Sequence, residues 1–132
     1  MRKDKEMNVL IIALEAVAPP KVSEAEVLVV APALDSGLRR WLSDEDDARR
    51  RAEQIAGAFA EKLNRGGVHA EGRAGDADPV LAIADALASF PADEIVIAGR
   101  PERLRGREKL VSRMRNRFAL PIRDWGSVRW AA

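Results

Sequence analysis

The sequence predicts an α/β fold: a single-domain, open and mainly parallel five-stranded sheet flanked by helices. Two observations carry this prediction. Continuous apolar runs, such as residues 8–14 and 26–31, are typical of strands buried on both faces. Helical patterns separate the later strands, and a helix that joins two such strands makes a right-handed parallel crossover. A chain of 132 residues can bury one core, so we expect one domain over 8–132 after a charged, mobile leader at 1–7.

The first half of the chain supplies two strands and a long helix. Between the strands at 8–14 and 26–31, the pair Pro19-Pro20 indicates a loop rather than a crossover helix. Ser43 or Asp44 is predicted to cap a helix that runs to about Arg65. Its apolar residues keep the helical period, at Ala48, Ala52, Ile55, Ala56, Phe59 and Leu63. Gly66-Gly67 then ends the helix, and a strand follows at 67–73.

The second half adds two helices and two strands. Asp78-Pro79 is a strong helix start, because the carboxylate can cap open N–H groups and proline suits the first helical position. One face of this helix is apolar, at Ala82, Ile83, Ala86, Leu87 and Phe90. Pro91 stops it before a short buried strand at 93–98. A basic helix at 109–118 precedes the last strand at 121–125, and Gly126 bends the chain beyond it.

Composition narrows the classes of function. The net charge of +1 gives no global drive toward nucleic acid or an anionic membrane. The chain has 0 cysteines, which excludes disulfides and thiolate chemistry and suits a reducing cytoplasm, where we expect the protein. The apolar run near the start is too short to span a bilayer. Glu15 follows it at once, so the run also lacks the apolar core of a signal peptide. We therefore expect no association with membranes.

Short motifs along the chain together resemble the universal stress protein (UspA-like) family. They comprise Gly75, Asp76, Pro79, Ile83, Ala84, Ala92, Asp93, Ile95, Val96, Ile97, Gly99 and Arg100. These positions roughly follow the family pattern, which reads G-D-x-x-x-x-I-x-x-x-A, then a helix, then A-D-x-I-V-x-G-x-R. The resemblance implies a Rossmann-like, flavodoxin-like sheet with spatial order 3-2-1-4-5 and a homodimer. In one branch of the family it also implies ATP held near the ends of the first and fourth strands.

The departures from that branch concern its nucleotide motif. The ATP-binding branch reads G-x-x-G after the fourth strand and a G-S or G-T pair further on. Glycines there let the backbone approach phosphates, to which the hydroxyl donates. Here Gly99 remains, but Glu102 replaces the next glycine and no such pair follows at the expected distance. The first strand ends in Leu14 and Glu15, where the family usually has an aspartate. We interpret the nucleotide site as degenerate or remodelled.

Candidate ligand-binding residues lie in the loops after the third and fourth strands. They are Gly75, Asp76, Gly99, Arg100, Arg103 and Gly106. A larger basic set surrounds the second loop, at Arg100, Arg103, Arg105, Arg107, Lys109, Arg113, Arg115 and Arg117. Such a set could be solvated surface, could hold an anionic small ligand bidentately, or could contact nucleic acid. The last is the least favoured, because no aromatic residues interleave the arginines.

The remaining polar and aromatic candidates each have a simpler structural interpretation. Asp76 and Asp78 could form an acid/base or Mg²⁺ pair, but a helix cap at Asp78 and a loop acceptor at Asp76 explain them more simply. His69 has no ligand cluster, and we expect no metal site and no catalytic residues. Trp125 and Trp130 could lie in a dimer interface or could fold back over their own core.

Three hypotheses of function remain open at the level of the sequence. The first is a non-catalytic UspA-like stress-response or regulatory module, ligand-sensing or protein-interacting, with weak or absent ATP binding. The second is a nucleotide-binding protein, for ATP or AMP, with weak phosphate chemistry. The third is a structural dimerisation domain. No cofactor is expected, although the resemblance leaves ATP or another nucleotide possible.

Overall fold

A computed structural model of the chain describes residues 7–15, 17–18, 25–34, 45–99 and 107–125. The strands are β1 (Met7–Ala13), β2 (Ala25–Pro32), β3 (His69–Gly75), β4 (Glu94–Ala98) and β5 (Ile122–Asp124). The helices of this part are α1 (Glu45–Arg65), α2 (Pro79–Leu87) and α3 (Arg107–Arg117). Among them no helix is long and apolar enough to cross a membrane.

The five strands form one sheet in the order β3-β2-β1-β4-β5, and every neighbouring pair is parallel. The predicted fold class and strand order are therefore confirmed. The third strand runs two residues beyond its predicted end, because β2 is also longer and its Pro32 lies opposite Gly75. The second helix ends three residues before Phe90, where a turn takes over.

The sheet is buried on both faces, as the continuous apolar runs predict. Val9 and Ile11 of β1 belong to a cluster on one face, beneath α1, which packs against β2 and β3. Leu10 and Ile12 belong to a second cluster on the opposite face, with the buried side of α2 and Met114 of α3. Because successive strand residues point to opposite faces, a single strand serves both clusters.

The end of α1 is fixed by backbone geometry and by one side chain. Gly67 has a φ of 94°, a conformation that favours glycine, and this places it just after the helix. Asn64 then joins the helix to β3 with two hydrogen bonds. Its Nδ2 donates to the Ala70 carbonyl at 3.0 Å, and its Oδ1 accepts from the Ala70 N–H at 3.1 Å. The predicted glycine stop is confirmed.

Some predictions fall outside the described residues. They concern the leader at 1–6, the pair Pro19-Pro20, the caps Ser43 and Asp44, and the segment 126–132 with Trp130. Where the chain is described between β1 and β2, at 14–15 and 17–18, it is not helical. That agrees with a loop at the start of this connection.

Candidate functional site

The strand order places the best ligand-binding position between β1 and β4. The chain leaves β1 toward β2 on one side and leaves β4 toward β5 on the other. In open α/β sheets ligands bind at such a switch point, beyond the carboxyl ends of the strands. We call the region formed by residues 13–15 and 98–99 the switch-point crevice.

The strand ends that form the switch-point crevice carry small and apolar residues, followed by the charged Glu15. Ala13 and Ala98 lie opposite each other in the paired strands and are 1% and 0% exposed. Gly99 is also buried. The Leu14 N–H donates to the Ala98 carbonyl at 2.8 Å, so the two strands stay joined past the end of β1. Backbone donors that would otherwise face a ligand are thereby partly used within the chain.

Trp125 covers this crevice from the face of the sheet that carries α1. Its N–H donates to the Ile97 carbonyl at 2.8 Å, which extends the pairing of β5 with β4. Its indole Nε1–H donates to the Ala18 carbonyl, beyond the end of β1, at 2.9 Å. Because β4 lies between β5 and β1, the side chain must pass over the carboxyl end of β4. Trp125 therefore packs against its own core, together with Val17, and not at the surface of an open sheet edge.

Gly75 and Asp76 lie at the other side of the sheet. β3 is three strands away from β4, or about 14 Å at the usual strand spacing. A Cβ on Gly75 would be 2.7 Å from Val30 Cγ1 and 2.9 Å from Ala82 Cβ, so this glycine allows α2 to approach the sheet. Asp76 Oδ1 accepts the Asp78 N–H at 2.9 Å, the loop-acceptor role considered from the sequence. The structure thus does not bring these two residues to Gly99.

Asp78 caps α2 and also binds α3. One carboxylate oxygen accepts the Val80 N–H at 3.0 Å, which confirms the predicted cap, and Pro79 begins the helix. The other oxygen accepts from Arg113 Nη2 at 3.1 Å. The hydrogen bond from Arg113 is the main cause that holds the pKa of Asp78 below its usual value; burial opposes this, and the Val80 N–H adds to it. Asp78 is therefore an anchor between two helices.

Part of the predicted basic set lies on α3 and part lies outside the described residues. Outside them are Arg100, Arg103, Arg105, Gly106 and the side chain of Arg107, together with Glu102. The exposed residues of the set on α3 are Lys109, Arg113, Arg115 and Arg117. The guanidinium of Arg117 lies 5.7 Å from the centre of the Phe118 ring. This arrangement fits the solvated-surface interpretation for the helical part of the set.

Metal-ligating side chains are not clustered in the described part of the chain. This part contains no group of three or more histidine, aspartate or glutamate side chains that could hold a metal ion. His69 is exposed at the amino end of β3, and its Nδ1 lies 3.1 Å from Glu26 Oε1 of β2. That end of the sheet is opposite the switch-point crevice, so His69 does not contribute to it.

The sequence allows Trp125 a place in a dimer interface or over its own core, but does not place it at the switch-point crevice. Its partner Ala18 is 107 positions away, so no local pattern connects the two. A signal was nevertheless present. A residue that directly follows the last strand, next to β4, must lie at the carboxyl edge of a parallel sheet, and the sequence places tryptophan there.

Comparison with known proteins identifies the fold. No family model matches the sequence, and no curated protein matches it either. Among solved structures, the fold is similar to a universal stress protein family protein from Burkholderia pseudomallei. The TM-score is 0.60 at 14% identity, over 90% of this chain and 96% of that one.

A second similar structure is a universal stress protein family protein from Arabidopsis thaliana with AMP bound. The TM-score is 0.56 at 13% identity, over 89% of this chain and 90% of that one. The UspA-like resemblance of the sequence is thereby confirmed at the level of the fold. At these identities the comparison speaks for architecture, and function has to be argued from the site.

Proposed function

We propose that this chain is a non-catalytic UspA-like regulatory module, which senses a ligand or a protein and binds ATP weakly or not at all. The observation that carries the proposal is the position of Trp125 at the switch-point crevice. The Leu14–Ala98 hydrogen bond joins its two strands, and the Trp125 side chain passes over it. In a UspA-like fold, a site for a large phosphorylated nucleotide would need this space and these donors.

The sequence of the two flanking loops supports the same proposal. Glu102 stands where the ATP-binding branch of the resembled family has a glycine, and its charge opposes a phosphate. At the end of β1, Glu15 follows Leu14 in place of the family's aspartate. The first change adds a charge that repels a triphosphate, and the second leaves the chain without the aspartate that faces the nucleotide in the resembled family.

Calorimetry with Mg-ATP tests the proposal directly. We expect a Kd weaker than about 100 µM, which corresponds to less than roughly 5.5 kcal/mol of binding free energy. We also expect no release of inorganic phosphate above a matched blank. A low-micromolar Kd, or steady ATP hydrolysis by the purified chain, would overturn it.

A mononucleotide of the AMP class is the second candidate. The similar protein from Arabidopsis thaliana has AMP bound, and Gly99 is buried at the end of β4. AMP carries one phosphate and needs fewer donors than ATP. We propose that Arg100, which follows Gly99 directly, would contact that phosphate. Titrations with AMP, ADP and cyclic nucleotides should then show Arg100→Ala weakening binding more than Lys109→Ala does.

We further propose that the module acts in the cytoplasm as a homodimer. The absence of cysteine suits a reducing compartment. The dimer would form through the edge strand β5, which pairs with β4 on one side.

A further inference from the structure

We propose that Trp125 is an internal plug of the switch-point crevice and sets the affinity of that site for planar aromatic ligands. The inference rests on the proposed function, in that it takes the crevice as the place where a ligand enters. It goes beyond that function, because it assigns the closure of the site to one side chain of this chain. It also names the chemical class that would replace the side chain, a fused heteroaromatic ring.

Trp125 is held by two hydrogen bonds, one from its main chain and one from its indole. The main-chain N–H donates to the Ile97 carbonyl of β4, and the indole N–H donates to the Ala18 carbonyl beyond β1. The side chain therefore bridges the two flanks of the crevice across the end of β4.

The apolar cluster against which the indole packs includes small residues. Ala13 and Ala98 belong to it, and both are buried with no side chain beyond Cβ. A large ring can pack against such a cluster, whereas larger residues at these positions would displace it. The small residues and the tryptophan are thus complementary in size.

A purine matches the indole in shape. Indole is a fused six- and five-membered ring, and purine has the same ring system and nearly the same size. A purine that enters the crevice must first displace the indole from this cluster and release its hydrogen bond to Ala18. The apparent affinity then falls by the fraction of molecules in which the plug is open. Removing the plug should abolish that penalty.

The experiment compares the full-length chain with Trp125→Ala and Trp125→Phe, using AMP and adenosine as ligands in calorimetry. We expect Trp125→Ala to bind AMP at least about tenfold more tightly than the unmodified chain, equivalent to about 1.4 kcal/mol. Trp125→Phe keeps a ring but loses the bond to Ala18, so we expect a gain of about threefold. Adenosine should follow the same order, because the ring rather than the phosphate competes with the indole.

Arg123→Ala is the matched control. Arg123 lies on β5, two residues before Trp125, but its side chain binds Glu94 at the amino end of β4, at 2.9 Å. Its loss should leave AMP affinity within about twofold of the unmodified chain, as for a surface substitution away from the site. Urea unfolding of each variant shows whether it is folded under the conditions of the titration. If Trp125→Ala does not fold, Trp125→Phe still tests the plug.

A second readout uses the unmodified chain. Its indole N–H groups give three resonances in a ¹⁵N-labelled sample, one for each tryptophan, and the Trp125 signal is the one missing from Trp125→Phe. Addition of millimolar AMP should move this resonance more than the other two. A folded Trp125→Ala or Trp125→Phe with unchanged AMP affinity, or a Trp125 resonance that AMP leaves in place, overturns the plug. Tight Mg-ATP binding by the unmodified chain would instead contradict the proposed function.

Discussion

Two glycines of β3 occupy positions where a side chain has no room. A Cβ on Gly72 would lie 2.3 Å from the backbone carbonyl oxygen of Ala56 in α1, and one on Gly75 would meet Val30 and Ala82. Backbone atoms of a packed helix cannot move aside as a flexible side-chain end can. Gly72 thus determines how closely α1 approaches the sheet, and Gly75 does the same for α2.

We predict that Gly72→Ala lowers the free energy of unfolding by about 2–3 kcal/mol, because α1 must shift outward. Gly57→Ala is the matched control. Gly57 lies inside α1, and a methyl group there would have nothing within 4 Å, so alanine should raise the free energy of unfolding by about 0.5–1 kcal/mol. Urea unfolding monitored by circular dichroism measures both. Two changes of the same sign would contradict the steric argument.

The ion pair between Asp78 and Arg113 predicts a dependence of stability on pH. The folded pKa of Asp78 is lowered, chiefly by Arg113, so its contribution is present above the unfolded pKa of about 3.9. It is lost as the pH falls through the lower, folded value. Asparagine at position 78 can still cap the helix but carries no charge. Because the side chains of Asp78 and Arg113 are both substantially exposed, we expect Asp78→Asn to lower the free energy of unfolding by only about 0.5 kcal/mol at neutral pH.

Urea unfolding between about pH 7 and pH 3 tests this prediction. The difference in the free energy of unfolding between the unmodified chain and Asp78→Asn should be constant down to about pH 5 and should shrink below about pH 4. In an Arg113→Ala background the difference should be smaller at every pH, since the partner is gone. A difference that grows on acidification would show that the pair is not its origin.

At the scale of elements, α3 is held to the sheet chiefly by Met114. Its exposed fraction is 0%, whereas the other described side chains of α3, at 108–113 and 115–117, are partly or fully exposed. We predict that Met114→Ala lowers the free energy of unfolding by about 2–5 kcal/mol. The neighbouring, exposed Arg115→Ala should change it by less than about 0.5 kcal/mol. Thermal unfolding of the two variants compares them, and equal effects would mean that α3 docks by another surface.

The elements themselves were largely predictable, because each has a local signal. Continuous apolar runs indicated β1, β2 and β4, and Asp78-Pro79 marked the start of α2. Boundaries were less predictable where a neighbour decides them. β3 continues through Arg73 to Gly75 because β2 offers partners that far, although the sequence there contains two glycines and two charged residues.

The site was only partly predictable, since its contacts join distant parts of the chain. The position of Gly99 at the carboxyl end of β4 followed from the element order and is confirmed. The bond between Trp125 and Ala18 spans 107 positions, and the pair of Asp78 with Arg113 spans 35. Such contacts depend on how the strands are arranged, so they emerge only once the strand order is known. Ligand binding by Gly75, Asp76 and Gly99 stays a prediction.

For the molecule as a whole, the two ends of the sheet differ in how they are held. The amino end is held by polar side chains: the backbone N–H of Asn8 donates to Asp93 Oδ2, and the Arg123 side chain binds that of Glu94. The carboxyl end between β1 and β4 is held by a backbone bond and by the Trp125 indole. Of these two ends, the carboxyl end is the one at which we propose that a ligand displaces the Trp125 ring.

We predict that the chain forms a homodimer through the edge of β5. Among the described strands β5 pairs only with β4, so it is an edge strand of the described sheet. The Pro121 carbonyl accepts from Ile95 of β4 at 3.0 Å, and in a trans peptide the following N–H points the opposite way. The Ile122 N–H therefore points outward, away from β4.

Ile122→Pro removes this donor. Ile122→Ala loses similar side-chain packing but keeps the N–H donor. In sedimentation equilibrium at tens of micromolar, we expect Ile122→Ala to remain dimeric and Ile122→Pro to become monomeric. A monomeric unmodified chain would end the dimer proposal, and two dimeric variants would move the interface away from β5.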